Sequence, residues 1–239
     1  MMAFEIKHGD AIEQMSNIPD ESVDLIVTDP PYESLEKWRK IGTTTRLKHS
    51  KQSSNDWFDV FPNKRLPSLM MECYRVLKKN AHLYIFCDDE TSNVIWYINH
   101  RYNPEFHFKW WKRIVWDKVA MGMGYHYRNQ HEFIAFLEKG KRKLNDLSVR
   151  DILTHKRIVN GYPGEKPVPL LMELIGNSGQ PGETVLDPFC GSGSTGEAAV
   201  RCGMSFIGID TNMDAVEMAH ARAKKAANSQ GVMEQCAGA

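Results

Sequence analysis

The chain has 239 residues, of which 42% are hydrophobic and 25% charged, and its formal net charge is zero. This length allows one α/β domain with a full hydrophobic core, so we expect residues 1–239 to form a single domain. The absence of any apolar run near 18 residues excludes an ordinary membrane-spanning helix, and five cysteines without a Cys-x-x-Cys pair disfavour a disulfide framework or a zinc site.

The first quarter of the chain predicts a short helix and a buried strand. The segment AIEQMSNI, which follows a short apolar stretch, predicts a helix that ends before Pro19. The segment VDLIVT at 23–28 is an apolar run of strand length, typical of a strand covered on both faces. It ends abruptly at an aspartate and two prolines, which cannot continue a central strand. Polar and basic residues at 33–62 then predict a long loop, and loops of this length are commonly functional.

Further helices and strands follow this loop. Apolar residues with helical spacing predict a helix at 66–77, and HLYIFCDD at 82–89 predicts a buried strand that ends in acidic residues. The segments WWKRIVWDK and EFIAFLEKG predict two more strands, separated by a turn around Gly122 and Gly124. A helix from Val168 to Ile175, closed by Gly176, is expected after a turn-rich segment.

The last third of the chain predicts one βαβ unit. TVLDPFCGSGSTGEAAVRCGMSFIGID contains a strand, a glycine-rich turn, a helix and a second strand within about 27 residues. Because the two strands of such a unit are parallel, we expect an α/β fold with a doubly wound, mostly parallel, Rossmann-like sheet. A final helix is predicted at about 212–227.

The glycine-rich turn predicts a site for an adenosine-containing cofactor. Gly191, Gly193 and Gly196 form the pattern G-x-G-x-x-G between a strand and a helix, and Asp210 ends the next strand. Glycines allow close approach of a ligand, the helix N-terminus favours an anion, and the acid accepts hydrogen bonds from ribose hydroxyls. Both NAD and S-adenosylmethionine fit this pattern. Cys190, within the turn, is interpreted as a packing residue and not as a nucleophile.

Two motifs together resemble a known family. The tetrapeptide DPPY at 29–32 and the turn FCGSG at 189–193 are similar to those of the DNA amino-methyltransferases, which methylate exocyclic amines of adenine or cytosine with S-adenosylmethionine. Because DPPY precedes the cofactor turn, the order resembles that of the beta class, whose motifs are circularly permuted around the same sheet. The similarity extends from HGDAIEQM near the start to GIDTN near residue 210.

The resemblance implies roles for particular residues. Asp10, in the Gly-Asp segment, is expected at the cofactor's adenine, Lys166 and Pro167 at its methionine end, and Asp210 at its ribose. The full cofactor site that it implies comprises Asp10, Asp29, Lys166, Pro167, Asp187, Pro188, Phe189, Gly191, Ser192, Gly193 and Asp210. No metal ion is expected.

The chemistry of amine methylation explains the tetrapeptide. An aromatic amine is a poor nucleophile because its lone pair is delocalised, so two acceptors must hold its N–H groups while the lone pair is aimed at the methyl group. We expect the Asp29 carboxylate and the Pro30 carbonyl to be these acceptors, held in place by Pro30 and Pro31. Tyr32 is expected to stack on a target base rotated out of the duplex. Catalytic residues are thus predicted at Asp29, Pro30, Pro31 and Tyr32.

Several alternatives remain open. Cytosine N4 methylation poses the same chemical problem, although aspartate in the first position of the tetrapeptide favours adenine. RNA or protein amino-methyltransferases resemble this chain less, because their tetrapeptide usually begins with asparagine and follows the cofactor turn. An NAD-linked dehydrogenase would explain the glycines but not DPPY, and a non-catalytic DNA-binding module would not need intact motifs.

Charge segregation predicts where DNA binds. Residues 1–36 contain nine acids and one lysine, whereas 37–51 contain six Lys or Arg and no acid, and 139–157 contain seven Lys or Arg and two Asp. Expected phosphate contacts are Lys37, Arg39, Lys40, Arg46, Lys48, Lys141, Arg142, Lys143, Lys156 and Arg157. The recognition segment at about 140–160 is short, so the loop after DPPY or a second subunit is expected to share the reading of double-stranded DNA. The resemblance implies a homodimer, which the short segment makes plausible. The first residues lack the pattern of a signal peptide, so a cytoplasmic protein is expected.

Overall fold

The fold is built around one eight-stranded sheet. A computed structural model of the chain describes residues 3–33, 60–101, 107–122 and 126–237. The strands are β1 Phe4–His8, β2 Val23–Thr28, β3 Leu77–Cys87, β4 Lys109–Asp117, β5 His131–Lys139, β6 Ile152–Thr154, β7 Thr184–Asp187 and β8 Ser205–Asp210. Their order across the sheet is β1-β8-β7-β2-β3-β5-β4-β6. Of these strands only β5 runs antiparallel to its neighbours, so the predicted mostly parallel α/β fold is confirmed.

Strand β2 lies at the centre of this sheet and has the bounds predicted from the sequence. It pairs with β7 on one side and β3 on the other, and all six of its residues are buried. Ile26 packs into the core on one face, whereas Leu25 and Val27 pack into the core on the opposite face. An apolar run suits this position because neither face of the strand meets water.

Helices cover both faces, as expected for a doubly wound sheet. They are α1 Ala11–Met15, α2 Leu66–Val76, α3 Asp89–Arg101, α4 Val168–Ser178, α5 Ser194–Arg201 and α6 Met213–Ala237, with a 3₁₀ turn at Asn63–Arg65. Helices α1, α2 and α3 contribute to the same core as Ile26. Helices α4, α5 and α6 contribute to the core on the other face. No helix among the described residues is long and apolar enough to cross a membrane.

The structure differs from the sequence predictions at several places. Strand β3 begins at Leu77, five residues before the predicted start at 82. Helix α3 was not predicted: the acids taken as the end of a strand form its N-terminus, where Asp88 Oδ1 accepts a hydrogen bond from Thr91 N–H at 2.8 Å. Strand β6 lies within the predicted recognition segment. Helix α6 continues ten residues beyond the expected end at 227. Most of the predicted loop at 33–62, with its six Lys or Arg residues, lies outside the described residues, as does Gly124.

A further difference concerns Gly176, which was predicted to end its helix but does not. Helix α4 continues to Ser178, and Gly179 N–H then donates to Ile175 O at 2.7 Å. Glycine is tolerated inside a helix at a cost of about 1 kcal/mol relative to alanine. The position is exposed, and a Cβ atom added there would meet no atom within 4 Å.

We therefore expect Gly176→Ala to raise the free energy of unfolding by about 0.5–1 kcal/mol, because alanine restricts the unfolded chain and fits the helix. Urea denaturation measures the change. Gly182→Ala is the matched control: that site is equally open, but its φ of +89° is unfavourable for alanine. The control is expected to lose stability, and a loss of stability in both variants would contradict this account of Gly176.

Candidate active site

Most of the predicted catalytic and cofactor residues line one cavity at an edge of the sheet. Pro167, which is buried, and Gly193 are not among its lining residues. Strands β1, β2, β7 and β8 are parallel, and the segments that follow their carboxyl ends line a single cavity of about 1020 Å³. Ligands of open α/β sheets bind at this edge. The cavity is large enough to hold a nucleoside-sized cofactor and part of a second substrate.

The DPPY tetrapeptide lies where β2 ends. Tyr32 Oη donates a hydrogen bond to Asp29 Oδ1 at 2.7 Å, and burial raises the pKa of Tyr32, which keeps this phenol protonated. Phe61 N–H donates to the Pro31 carbonyl at 2.8 Å, whereas the Pro30 carbonyl accepts no hydrogen bond from the described residues. The arrangement therefore offers a carboxylate and an unused carbonyl on one stiffened turn.

A buried lysine contacts the Asp29 carboxylate. Lys166, just before α4, pairs with Asp29 Oδ2 and lies 3.6 Å from Glu132 Oε2 at the start of β5. Lys118 Nζ holds the other Glu132 oxygen at 2.6 Å. Burial raises the pKa of Asp29 while Lys166 opposes the shift. The pKa of Glu132 is lowered: burial acts against its ionisation, but Lys166 and Lys118 together outweigh burial. Two carboxylates and two ammonium groups thus form a neutral cluster.

The glycine-rich turn connects β7 to α5. Gly191 and Gly193 have φ values of +47° and +85°, a left-handed conformation that side chains disfavour. A Cβ atom added at Gly193 would lie 2.6 Å from the Cα atom of Ala219 in α6. Burial raises the pKa of the Cys190 thiol, so this residue stays protonated and packs in the turn, in agreement with its interpretation as a packing residue.

Asp187 anchors the beginning of this turn. Its Oδ1 accepts hydrogen bonds from Thr28 Oγ1 at 2.8 Å and from Phe189 N–H at 3.0 Å, which connects the ends of β2 and β7. Burial raises the pKa of Asp187 to about 7, against the effect of these donors. Pro188 and Ser192 also line the cavity.

Asp10 and Asp210 border the cavity where β1 and β8 end. Asp210 accepts hydrogen bonds from the backbone N–H groups of Gly191 and Asn212 at 2.9 and 2.8 Å, and burial raises its pKa. Asp10 caps helix α1, and a hydrogen bond from Arg65 at 2.8 Å lowers its pKa. Each ionised carboxylate has about four acceptor positions, so both retain capacity for a ligand.

The comparison with known families agrees with this geometry. The sequence profile of the family N6_N4_Mtase, described as DNA methylase, matches residues 23–221. The chain belongs to this DNA methylase family. The match includes both the DPPY tetrapeptide and the glycine-rich turn, which confirms the resemblance found in the sequence.

Individual proteins similar to this DNA methylase support the same family. It is 30% identical over 262 residues to the DNA adenine methyltransferase YhdJ of Escherichia coli strain K12, covering 90% of this chain and 81% of YhdJ. The solved structure of an M1.HpyAVI–SAM complex has a TM-score of 0.65 at 24% identity, covering 92% of this chain and 98% of that one. The PvuII DNA methyltransferase, described as cytosine-N4-specific, has a TM-score of 0.71 at 15% identity, covering 92% and 86%. The two structures show a shared fold.

The basic residues predicted to bind DNA fall into two groups in this DNA methylase. Lys156 and Arg157 are exposed just after β6, at the active-site edge, and Arg157 lines the cavity. Lys141, Arg142 and Lys143 follow the far end of β5, beside the start of β3. Strand β5, with its nine residues, separates the two ends, which corresponds to about 27 Å.

Arg142 has internal partners at that far end of the sheet. Its guanidinium pairs with Glu183 at 2.7 Å, and its backbone carbonyl lies 3.1 Å from His82 Nε2. The structure therefore does not bring Lys141, Arg142 and Lys143 to the active site of the DNA methylase, and their proposed role in DNA binding stays a prediction.

Several residues that line the cavity were not predicted from the sequence. Phe61 packs edge-on against Phe189 with ring centroids 5.0 Å apart, and the guanidinium of Arg65 lies 5.0 Å from the Phe61 ring. Lys118 also lines the cavity, where it pairs with Glu132. Phe61 lies near the end of the predicted loop, Arg65 follows that loop and Lys118 ends a predicted strand, and none of the three was predicted to line the site.

Proposed function

We propose that this DNA methylase transfers a methyl group from S-adenosylmethionine to the exocyclic N6 amine of adenine in double-stranded DNA. The observation that supports this most is the position of Asp29 and the unused Pro30 carbonyl in the same cavity as the glycine-rich turn. The donor site and the acceptors for an amine thus share one space.

The acceptors determine how the amine reacts. Asp29 and the Pro30 carbonyl each accept one N–H of the target amine, which localises the nitrogen lone pair and directs it away from the plane of the base. Because the turn holds both acceptors before the substrate arrives, little reorganisation is needed in the transition state. Tyr32 contributes a ring on which the base stacks, a contact worth about 1–3 kcal/mol.

The shape of the glycine-rich turn fits S-adenosylmethionine. Gly191 lines the cavity and leaves the backbone open to close approach, whereas Gly193 gives room to Ala219 of helix α6. Asp210, beside the turn, is expected to accept ribose hydroxyls. The cofactor supplies an electrophilic methyl group. Lys166, expected near the methionine end, is held at Asp29, close to the position where the methyl group and the amine would meet.

The amine of adenine lies inside the duplex, so the proposal requires the base to be rotated out into the cavity. Extrusion costs a few kcal/mol, which stacking and the acceptors offset. Arg157, at the rim of the cavity, is placed to contact a phosphate beside the extruded nucleotide.

Cytosine N4 methylation is the second candidate, and it has its own support. The PvuII methyltransferase, which has a similar fold, is described as cytosine-N4-specific. Two observations favour adenine: the first residue of the tetrapeptide is Asp29, and YhdJ, a relative with 30% identity, is named a DNA adenine methyltransferase. RNA and protein substrates and a non-catalytic role have no comparable support.

Expression in bacteria that lack DNA methylation tests the proposal. Sequencing that detects modified bases, together with nucleoside analysis, is expected to show N6-methyladenine at a defined sequence. N4-methylcytosine in its place would establish the second candidate. A strain with neither base, despite soluble expression of the protein, would contradict DNA methylation.

Salt titration of DNA binding distinguishes the two basic groups. We expect the double variant Lys156→Gln, Arg157→Gln to weaken binding to all sequences and to reduce the slope of log affinity against log salt by about 2, because two phosphate contacts are lost. The comparison variant is Lys141→Gln, Lys143→Gln, which removes two exposed charges at the far end of the sheet. An unchanged slope in this variant would remove that segment from the DNA interface. A reduced slope for Lys141→Gln, Lys143→Gln together with an unchanged slope for Lys156→Gln, Arg157→Gln would place DNA at the far end of the sheet.

The predicted homodimer stays a proposal that rests on the family resemblance and is made plausible by the short recognition segment. Sedimentation of the protein at increasing concentration, with and without DNA, tests it directly.

A further inference from the structure

Both oxygens of the Asp29 carboxylate have a partner in this structure. Its Oδ1 atom accepts the hydrogen bond from Tyr32, and its Oδ2 atom pairs with the Lys166 ammonium. A bond from an ammonium group to a carboxylate is roughly twice as strong as one between neutral groups. A neutral amine of a base is therefore the weaker donor to Oδ2 and has to share this atom with the ammonium while the ammonium remains there.

Glu132 offers a second position for this ammonium. Its Oε1 atom accepts a hydrogen bond from Lys118, whereas its Oε2 atom is buried and accepts none from the described residues. An unsatisfied buried acceptor is costly, so a native structure that retains one calls for an explanation. Glu132 Oε2 forms an ion pair with Lys166 Nζ at 3.6 Å, a distance longer than that of a hydrogen bond.

The movement required is small. A bond from an ammonium to a carboxylate is about 2.7–2.9 Å long, so a displacement of about 0.8 Å would bring Lys166 Nζ within range of Glu132 Oε2. Lys166 is buried, with the Phe86 ring 5.1 Å from its Nζ atom. The ammonium is thus confined between the two carboxylates.

We propose that Glu132 is a positioning residue that receives the Lys166 ammonium when the target amine binds, which frees Asp29 Oδ2 to accept an N–H of that amine. This inference rests on the proposed function. No proton is transferred, and the charges of the two carboxylates and two ammonium groups sum to zero before and after the shift. Lys118 holds Glu132 in place throughout.

The test is a double-mutant cycle on methyl transfer, with S-adenosylmethionine and unmethylated plasmid DNA. Glu132→Gln keeps the shape of the side chain and an oxygen for Lys118 but removes the charge. We expect it to lower kcat by about 10²-fold, the effect of a misplaced reacting group. The dissociation constant for S-adenosylmethionine and the melting temperature are expected to change little. Glu5→Gln, at an exposed site in β1, is the matched control with wild-type kcat.

Lys166→Met removes the group through which Glu132 acts. In that background we expect Glu132→Gln to change kcat by less than about threefold, because no ammonium remains to be relocated. Full multiplication of the two effects would show that Glu132 acts independently and would overturn the inference. If Glu132→Gln lowers the melting temperature strongly, the same cycle is run with Glu132→Asp. That variant keeps the negative charge, but its shorter side chain cannot reach both Lys118 and Lys166.

The remaining outcomes separate this inference from the function on which it rests. A wild-type protein that methylates no base in DNA overturns both. An active wild-type protein whose kcat is unchanged by Glu132→Gln overturns the positioning role alone.

Discussion

Replacing Asp29 with asparagine is expected to lower kcat for methyl transfer by about 10²–10³-fold, the usual loss when one preorganised polar contact to the transition state is removed. Asparagine is similar in size, but it lacks the charge that pairs with Lys166 and polarises the amine. The affinity for S-adenosylmethionine is expected to change by less than tenfold, because the glycine-rich turn and Asp210 remain. Single-turnover kinetics and calorimetric binding measure the two effects separately.

Asp24→Asn is the matched control for this prediction. Asp24 lies near the beginning of β2, whereas the tetrapeptide follows the end of that strand. Asp24 pairs with Lys78 at 2.8 Å and accepts a hydrogen bond from Thr184 N–H at 3.0 Å. The control is expected to lose some stability and to retain kcat. An Asp29→Asn variant with wild-type kcat would show that the carboxylate does not bind the reacting amine.

Gly193→Ala is expected to destabilise the fold by about 2–5 kcal/mol. Alanine at a φ of +85° costs about 1–2 kcal/mol, and overpacking a tight contact adds about 1–3 kcal/mol. The new Cβ atom would meet the Cα atom of Ala219, so a backbone segment and not a flexible side chain must move. The turn would be distorted, and we expect the affinity for S-adenosylmethionine to fall with stability.

Urea denaturation and equilibrium binding measure this effect. Gly182→Ala isolates the cost of the backbone conformation, because Gly182 has a similar φ of +89° with no atom within 4 Å of an added Cβ. The difference between the two variants is the cost of the contact with Ala219. Equal losses in both would show that helix α6 moves away without cost.

The parts of the fold that could be predicted are those with a strong local pattern. The apolar run of β2 and the strand, turn, helix and strand around Gly191 and Gly193 each signal their structure within a few residues. Two motifs in permuted order then indicated the family. Helix α3 was missed because its N-terminal acids also suit the end of a strand, and Gly176 was misjudged because a glycine near a helix end usually stops it.

The parts of the site that could not be predicted depend on contacts between distant residues. Lys166 and Asp29 are 137 positions apart in sequence, and no local pattern shows that they pair. Glu132 and Lys118 meet only because β4 and β5 are antiparallel neighbours. The basic segment at 139–157 was treated as one surface, but the path of the chain from β5 to β6 places its two ends at opposite edges of the sheet.

The most direct test of the proposed function is the transfer of label from S-[methyl-³H]-adenosylmethionine to unmethylated DNA by the purified protein, followed by enzymatic digestion and identification of the labelled nucleoside. We predict that the label appears in N6-methyladenine with the wild-type protein and is nearly absent with Asp29→Asn. Label in RNA or protein but not in DNA, or equal labelling by the Asp29→Asn variant, would contradict the account.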